Sequence, residues 1–141
     1  GLDDPTKKMS KSADGQFHGI ELLDPLNRIK KTIMRAVTDS DNEIAFDEAR
    51  PGVNNLLGIY QALSGQSKEQ IEDHFAGKGY GDLKKGVLEV VMAEIEPIQA
   101  RYAEISADPA YVDGVLTRSA EYLRPIVDRT MDNVRRAMGL R

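Results

Sequence analysis

The chain has 141 residues, of which 40% are apolar and 30% charged, and it contains no cysteine. This is the length of one ordinary domain with a hydrophobic core, and the lack of cysteine excludes disulfides and thiolate metal sites. No apolar run approaches a membrane span and no leader begins the chain, so we expect a soluble, unexported protein. The net charge of −4 argues against nucleic acid as a partner, but basic residues outnumber acidic ones by one over residues 1–31 and again over residues 107–141.

The first feature along the chain is a short cationic segment, "PTKKMSKSADG", from Pro5 to Gly15, which we call the lysine loop. Its lysines are Lys7, Lys8 and Lys11, and hydroxyl and turn-forming residues lie between and after them. Cations packed this densely repel one another unless an anion is expected. Ammonium and hydroxyl groups on flexible backbone suit a polyphosphate whose charge changes during a reaction. The residues alone therefore predict a phosphate-contacting loop.

Apolar residues at helical spacing predict three helices after this loop. Asp24 is placed to cap the first helix, and Pro25 is placed to be its first residue. The second helix is predicted over residues 53–63. The third opens at a capping box formed by Ser67 and Gln70.

Two longer helices are predicted in the second half of the chain. One apolar face continues from Leu83 to Ile105 past Pro97, so this proline should kink the helix rather than end it. The last helix starts at Pro109 and runs to about Met138. Four aromatic residues on or beside the apolar faces of the helices are predicted core residues: Tyr60, Phe75, Tyr102 and Tyr122. Five helices with scarcely any strand predict an all-α fold, a helical bundle of about five helices.

Two further groups of residues are candidates for function. Arg118, Arg129 and Arg136 share one face of the last helix, within about 20° of one another and opposite its apolar stripe. This arginine stripe is either a solvated face, with Asp132 pairing to Arg129 and Arg136, or a surface for nucleic-acid phosphates. The chain has two histidines, His18 and His74. Neither has a carboxylate at the spacing expected of metal ligands, so they predict no metal site and no catalytic triad.

Lys8, Met9, Ser10, Lys11 and Ser12 match letter for letter the second signature of class I aminoacyl-tRNA synthetases. Later segments resemble bacterial-type tryptophanyl-tRNA synthetases in the same order, whereas the tyrosyl enzymes share the loop but not these segments. The resemblance covers nearly the whole chain and rests on "LDDPTKKMSKS", "AVTDS", "PGVNNLLGIYQALSGQS", "GKGYGDLK" and "PIQARY".

The resemblance implies a ligase that activates tryptophan with ATP and Mg²⁺ and transfers it to tRNA(Trp), as a cytoplasmic homodimer. In that family the loop closes on the ATP phosphates. Lys8 and Lys11 would be catalytic, stabilising charge on the pyrophosphate as the adenylate forms. Met9 and Ser10 would contact ATP, and Ser12 would brace the loop within the same ATP-binding set.

The resemblance also implies a division of the chain. Residues 1–23 would be the loop segment at the end of a nucleotide-binding catalytic domain, and residues 24–141 a helical anticodon-binding domain whose arginine stripe helps to hold tRNA. The tryptophan pocket would precede residue 1, so we expect a C-terminal fragment that is inactive alone. The alternative is a free-standing helical tRNA-binding or protein-interaction module with a vestigial lysine loop.

Overall fold

The computed structural model describes residues 1–10 and 15–140, and within these residues it contains five α-helices and no strand. The predicted all-α fold of five helices is confirmed. None of the helices in these ranges has the length and apolarity needed to cross a bilayer. The helices are α1 (Leu26–Met34), α2 (Pro51–Ser64), α3 (Lys68–Phe75), α4 (Tyr80–Ser106) and α5 (Pro109–Ala137).

Local capping signals explain where several helices begin and end. The Ser67 hydroxyl accepts from the backbone N–H of Gln70, and the Gln70 side chain accepts from the backbone N–H of Ser67, so the predicted capping box is confirmed. The Asp108 carboxylate accepts from the backbone N–H of Tyr111 at 3.0 Å at the start of α5. Gly65 ends α2 with φ of 67°, a left-handed conformation that suits a residue without Cβ.

Asp24 does not cap α1, as the sequence suggested it would. The helix begins at Leu26, with Pro25 at the N-cap position and no side-chain cap. The buried Asp24 carboxylate instead accepts from the backbone N–H of Glu21 at 2.9 Å and lies 3.3 Å from Nε of Arg28. The prediction is wrong because the preceding turn and Arg28 compete for the same carboxylate.

Arg50 fixes the connection between α1 and α2. Its side chain, 11% exposed, lies with Nε 2.8 Å and Nη2 3.1 Å from the two Asp39 carboxylate oxygens, and Nη2 also donates to the Glu43 carbonyl at 2.6 Å. Arg50 also donates to the Tyr80 hydroxyl, which donates to Asp39. The Arg50 and Tyr80 hydrogen bonds hold the pKa of Asp39 well below its usual range, and burial raises the pKa of Tyr80.

The chain divides into two compact units, residues 1–99 and residues 100–141. The first unit contains the hydrophobic core, to which α1, α2, α3 and the first part of α4 contribute. Tyr60 and Phe75 lie in this core, as predicted. Its fully buried apolar residues include Leu2, Ile29, Val53, Leu56, Leu57, Ile71, Leu83 and Val87.

The second unit has no buried side chain among its described residues. Tyr102 and Tyr122 are 53% and 74% exposed, so their prediction as core residues was wrong. The apolar residues of α5 are exposed too, including Leu116, Leu123 and Val127. Within this unit only the end of α4 and α5 are helical, which is too little surface to enclose an interior.

Candidate active site

The first turn of the lysine loop is organised by Asp4. Its carboxylate accepts from the backbone N–H of Thr6 at 3.1 Å and from the Thr6 hydroxyl at 2.6 Å, and it lies 3.0 Å from Nζ of Lys7. The Thr6 hydrogen bond and then the Lys7 ammonium lower the pKa of Asp4 to about 2. Lys7 therefore already has an anionic partner, the residue directly before the loop.

Lys8 differs from its neighbour. Its side chain is exposed and forms no ion pair with any residue in the described part of the chain. Met9 and Ser10 follow it on the surface, with Met9 43% exposed. The other two predicted loop residues, Lys11 and Ser12, lie outside the described residues. Among the described residues, the Lys7 ammonium is paired with a carboxylate and the Lys8 ammonium is not.

A cavity of about 620 Å³ opens beside the loop, within the first unit. Its lining includes Met9 and Ser10 from the loop and residues 18–23. Glu21 and Arg28 bring opposite charges to a wall that is otherwise mainly apolar. The volume lies in the range of roughly 300–1,000 Å³ that is usual for small-molecule sites. The predicted loop residues Met9 and Ser10 thus lie at a cavity of suitable size for a nucleotide.

His18 contacts residues on both sides of the start of the loop. Its Nδ1 lies 2.6 Å from Oδ1 of Asp3, and its Nε2 lies 3.0 Å from the carbonyl oxygen of Lys8. Its own carbonyl accepts from the backbone N–H of Leu2 at 2.9 Å. The residue is 5% exposed. Sequence reasoning missed this arrangement because the carboxylate partner is fifteen residues away, with no local spacing that signals the pair.

The arginine stripe of α5 lies in the second unit. Arg118, Arg129 and Arg136 are all exposed, and none of them forms an ion pair with a residue that the structure describes. Asp132 lies 3.3 Å from Arg135, not beside Arg129 or Arg136. The suggested pairing of Asp132 with the stripe is therefore wrong, and no carboxylate among the described residues neutralises the three arginines.

The comparison with known families agrees with the loop motif. Residues 1–95 match the family model described as tRNA synthetases class I (W and Y). The chain belongs to this family. The membership covers the lysine loop, α1, α2, α3 and most of α4, which is the part of the chain that contains both the core and the cavity.

Individual relatives narrow the similarity from the family to one kind of synthetase. The tryptophan–tRNA ligase of Helicobacter pylori (strain J99) is 52% identical over 140 residues, which is 99% of this chain and 42% of that protein. The tryptophan–tRNA ligase of Wolinella succinogenes is 46% identical over 140 residues and is covered to 43%. The crystal structure of tryptophanyl-tRNA synthetase from Mycoplasma pneumoniae matches 73% of this chain and 34% of that one, with 38% identity and a TM-score of 0.67. The chain thus spans about two fifths of the length of the ligases it matches.

Proposed function

We propose that this chain forms the ATP-phosphate loop and the anticodon-binding helices of a tryptophan–tRNA ligase. That enzyme activates tryptophan with ATP and Mg²⁺ and transfers it to tRNA(Trp) in the cytoplasm, as a homodimer. Family membership and similarity to tryptophan–tRNA ligases over 99% of the chain support the proposal. The observation that carries the chemistry is the contrast between Lys7, whose charge is paired with Asp4, and Lys8, whose charge has no such partner among the described residues.

In this proposal a carboxylate oxygen of tryptophan bonds to the α-phosphorus of ATP, and pyrophosphate leaves with the electrons of the broken P–O bond. Negative charge builds up on the pyrophosphate in the transition state. Lys8 and Lys11 stabilise that charge, since positioned cations contribute most where charge develops. The Ser10 hydroxyl and the Met9 backbone contact ATP, Ser12 braces the loop, and Mg²⁺ arrives with the nucleotide.

The remainder of the chain has a separate role in the proposal. Residues 1–23 are the loop segment of the catalytic half, and residues 24–141 are the helical part that holds the anticodon arm. The arginine stripe contacts tRNA phosphates, supported by its exposure and by the absence of ion pairs to its arginines among the described residues. Phosphate contacts of this kind supply affinity and position rather than sequence recognition.

The test compares three single lysine variants of the tryptophan–tRNA ligase that contains this chain. Lys8→Ala and Lys11→Ala should each lower tryptophan-dependent pyrophosphate exchange roughly a hundredfold to a thousandfold, about 3 to 4 kcal/mol, and leave tryptophan binding almost unchanged. Lys7→Ala removes the same charge one residue away and is the matched control. It should retain exchange within a few fold, because its ammonium pairs with Asp4.

Two results would contradict the proposed roles. If Lys7→Ala and Lys8→Ala lose activity equally, the loop acts only through its total charge and no single lysine is positioned. If Lys8→Ala raises the tryptophan dissociation constant and leaves the exchange rate at saturation unchanged, the lysine serves substrate binding rather than the transition state.

A further inference from the structure

The side chain of His18 lies between two groups that can only accept hydrogen bonds. Nδ1 faces the Asp3 carboxylate at 2.6 Å and Nε2 faces the Lys8 carbonyl oxygen at 3.0 Å. A neutral imidazole has one N–H donor, whereas an imidazolium has two. Only the protonated ring therefore satisfies both partners, and this holds whichever way round the ring is placed, because each nitrogen meets an acceptor.

The ring and its carboxylate partner are packed closely against two glycines. A Cβ on Gly1 would fall on the imidazole, and a Cβ on Gly15 would fall on the Asp3 carboxylate, so two glycines make the space for the pair. The residue is 5% exposed, and its backbone is bonded to Leu2 and to Gly15. The imidazole itself is therefore shielded from water, whereas the Asp3 side chain is 37% exposed.

We propose that protonated His18 is a positioning residue for Lys8: the ring links the Lys8 carbonyl to the Asp3 carboxylate by donating to both, so that the lysine enters the loop at a fixed place. The inference rests on the proposed function, in which Lys8 stabilises charge on the pyrophosphate. When the ring loses a proton, one of its nitrogens becomes an acceptor that faces another acceptor, and that hydrogen bond is lost. The start of the loop is then released, and Lys8 loses its alignment with the phosphates.

The charges around the ring set the direction of the pH dependence. The Lys8 carbonyl and then the Asp3 carboxylate raise the pKa of His18, against the opposing effect of burial. Glu21 and Arg28 line the same cavity as His18, and Arg28 is paired with Asp24. We call the two hydrogen bonds of the protonated ring, to Asp3 and to the Lys8 carbonyl, the clamp. Because the pKa of His18 is raised in the folded protein, the clamp is complete below the ordinary value of 6.5 and is lost as pH rises through the raised pKa.

The first test compares His18→Gln with the wild-type ligase that contains this chain, by single-turnover adenylate formation at saturating tryptophan and ATP between pH 6 and pH 9. Glutamine does not titrate in this range. Wild type should be faster by about tenfold at the acidic end, and the advantage should shrink towards one as pH rises. His74→Gln is the matched control. His74 is exposed, and its ring contacts Tyr60, Phe75 and Lys78, none of which belongs to the loop. Its profile should follow wild type.

A second variant tests the mechanism even if His18→Gln folds poorly. In Asp3→Asn the new amide can donate to Nδ1 while a neutral ring donates from Nε2 to the Lys8 carbonyl. The clamp then no longer needs the extra proton, so the alkaline decline should disappear. A ¹³C NMR titration of the His18 ring should give, in wild type, a midpoint that coincides with that decline.

The outcomes separate the two proposals. A wild-type advantage over His18→Gln that is constant with pH would overturn the clamp and leave His18 as packing alone. So would an Asp3→Asn profile that keeps the wild-type decline. If Lys8→Ala leaves pyrophosphate exchange intact, the proposed function itself fails, whatever His18 does. If Lys8→Ala abolishes exchange while the His18→Gln ratio is flat, only the positioning role is lost.

Discussion

The two units of the molecule both contain helices with a continuous apolar stripe, but only the first unit buries its stripe. In α4 the apolar residues at four-residue spacing, such as Leu83, Val87 and Val91, are at most 6% exposed. In α5 the equivalent stripe includes Leu123 and Val127, which are 50% and 52% exposed. The difference is not in the pattern of the sequence, because both stripes have helical spacing.

The two stripes differ in burial because different numbers of elements pack around them. In the first unit, α1, α2, α3 and the start of α4 enclose a common interior, and the extended residues at the start of the chain add Leu2 to it. In the second unit the described residues supply no such enclosure. Hydrophobic periodicity thus predicts which face of a helix is apolar, whereas burial of that face depends on elements that are distant in the sequence.

The largest expected difference between the units is in core stability. Leu57→Ala removes a side chain that is fully buried in α2, and it should lower the free energy of unfolding by about 3 kcal/mol. Leu123→Ala makes the same chemical change on α5 and should alter it by less than about 1 kcal/mol. Urea unfolding of the 141-residue chain, followed by circular dichroism, measures both.

Equal losses in the two leucine variants would break the comparison, because they would mean that the α5 stripe is covered in solution. Measuring Leu57→Ala and Leu123→Ala also in the ligase that contains this chain extends the comparison to the longer protein. A cost at Leu123 that is small in the 141-residue chain and large in the ligase would show that residues outside this chain cover the α5 stripe.

A smaller difference is expected for two tyrosines. Tyr80→Phe removes the hydroxyl that bonds Asp39 and Arg50, and it should lower the free energy of unfolding by about 1 to 2 kcal/mol at pH 7. Tyr122→Phe changes an exposed residue of α5 and should be nearly neutral. Because the pKa of Asp39 is lowered in the folded protein, its contribution is present above its ordinary pKa of 3.8 and is lost as pH falls through the lowered value.

The cost of Tyr80→Phe should therefore shrink as pH is lowered below about 4. Unfolding curves at a series of pH values give this trend directly. A cost that does not change as pH is lowered would mean that the Tyr80 hydroxyl acts through its hydrogen bonds with Arg50 and the Glu43 carbonyl and not through its bond to the Asp39 carboxylate.

Local signals predicted the helices well and long-range contacts poorly. The capping box at Ser67 and the start of α5 at Pro109 depend on residues close in sequence, and both were predicted. Asp24 was misassigned because an acidic residue before a helix can bond the helix or the turn behind it, and only the fold decides between them. The exposure of Tyr102 could not be read from its place on an apolar face.

The candidate site shows the same limit. The loop motif predicts Lys8 as a phosphate contact, and this stays a prediction; the motif gave no sign that Lys7 beside it is paired with Asp4. The "DPTK" turn carries a signal for that pair, since an aspartate before a proline organises the residues that follow it. His18 gives no such signal, because its contact with Asp3 joins residues fifteen positions apart.

The last and smallest expected effect concerns the exposed surface of the second unit. Replacing Arg118, Arg129 and Arg136 with glutamine in the ligase should weaken tRNA binding at low salt. It should also flatten the slope of log affinity against log salt by up to about 2 to 3 units, because each phosphate contact releases close to one counterion. Cognate and non-cognate tRNA should be affected alike, since phosphate contacts carry no sequence information. Filter binding over a salt series measures the slope.

A matched control removes three charges from elsewhere in the same unit. Arg101 and Arg135 are paired with Glu104 and Asp132, and Arg124 lies on a different face of α5 from the stripe. Their triple glutamine variant should keep the wild-type slope, even though its net charge equals that of the stripe variant. If both variants flatten the slope equally, tRNA responds to the overall charge of the unit. If neither does, the stripe is a solvated face, and the phosphates are held by residues nearer the core of the first unit.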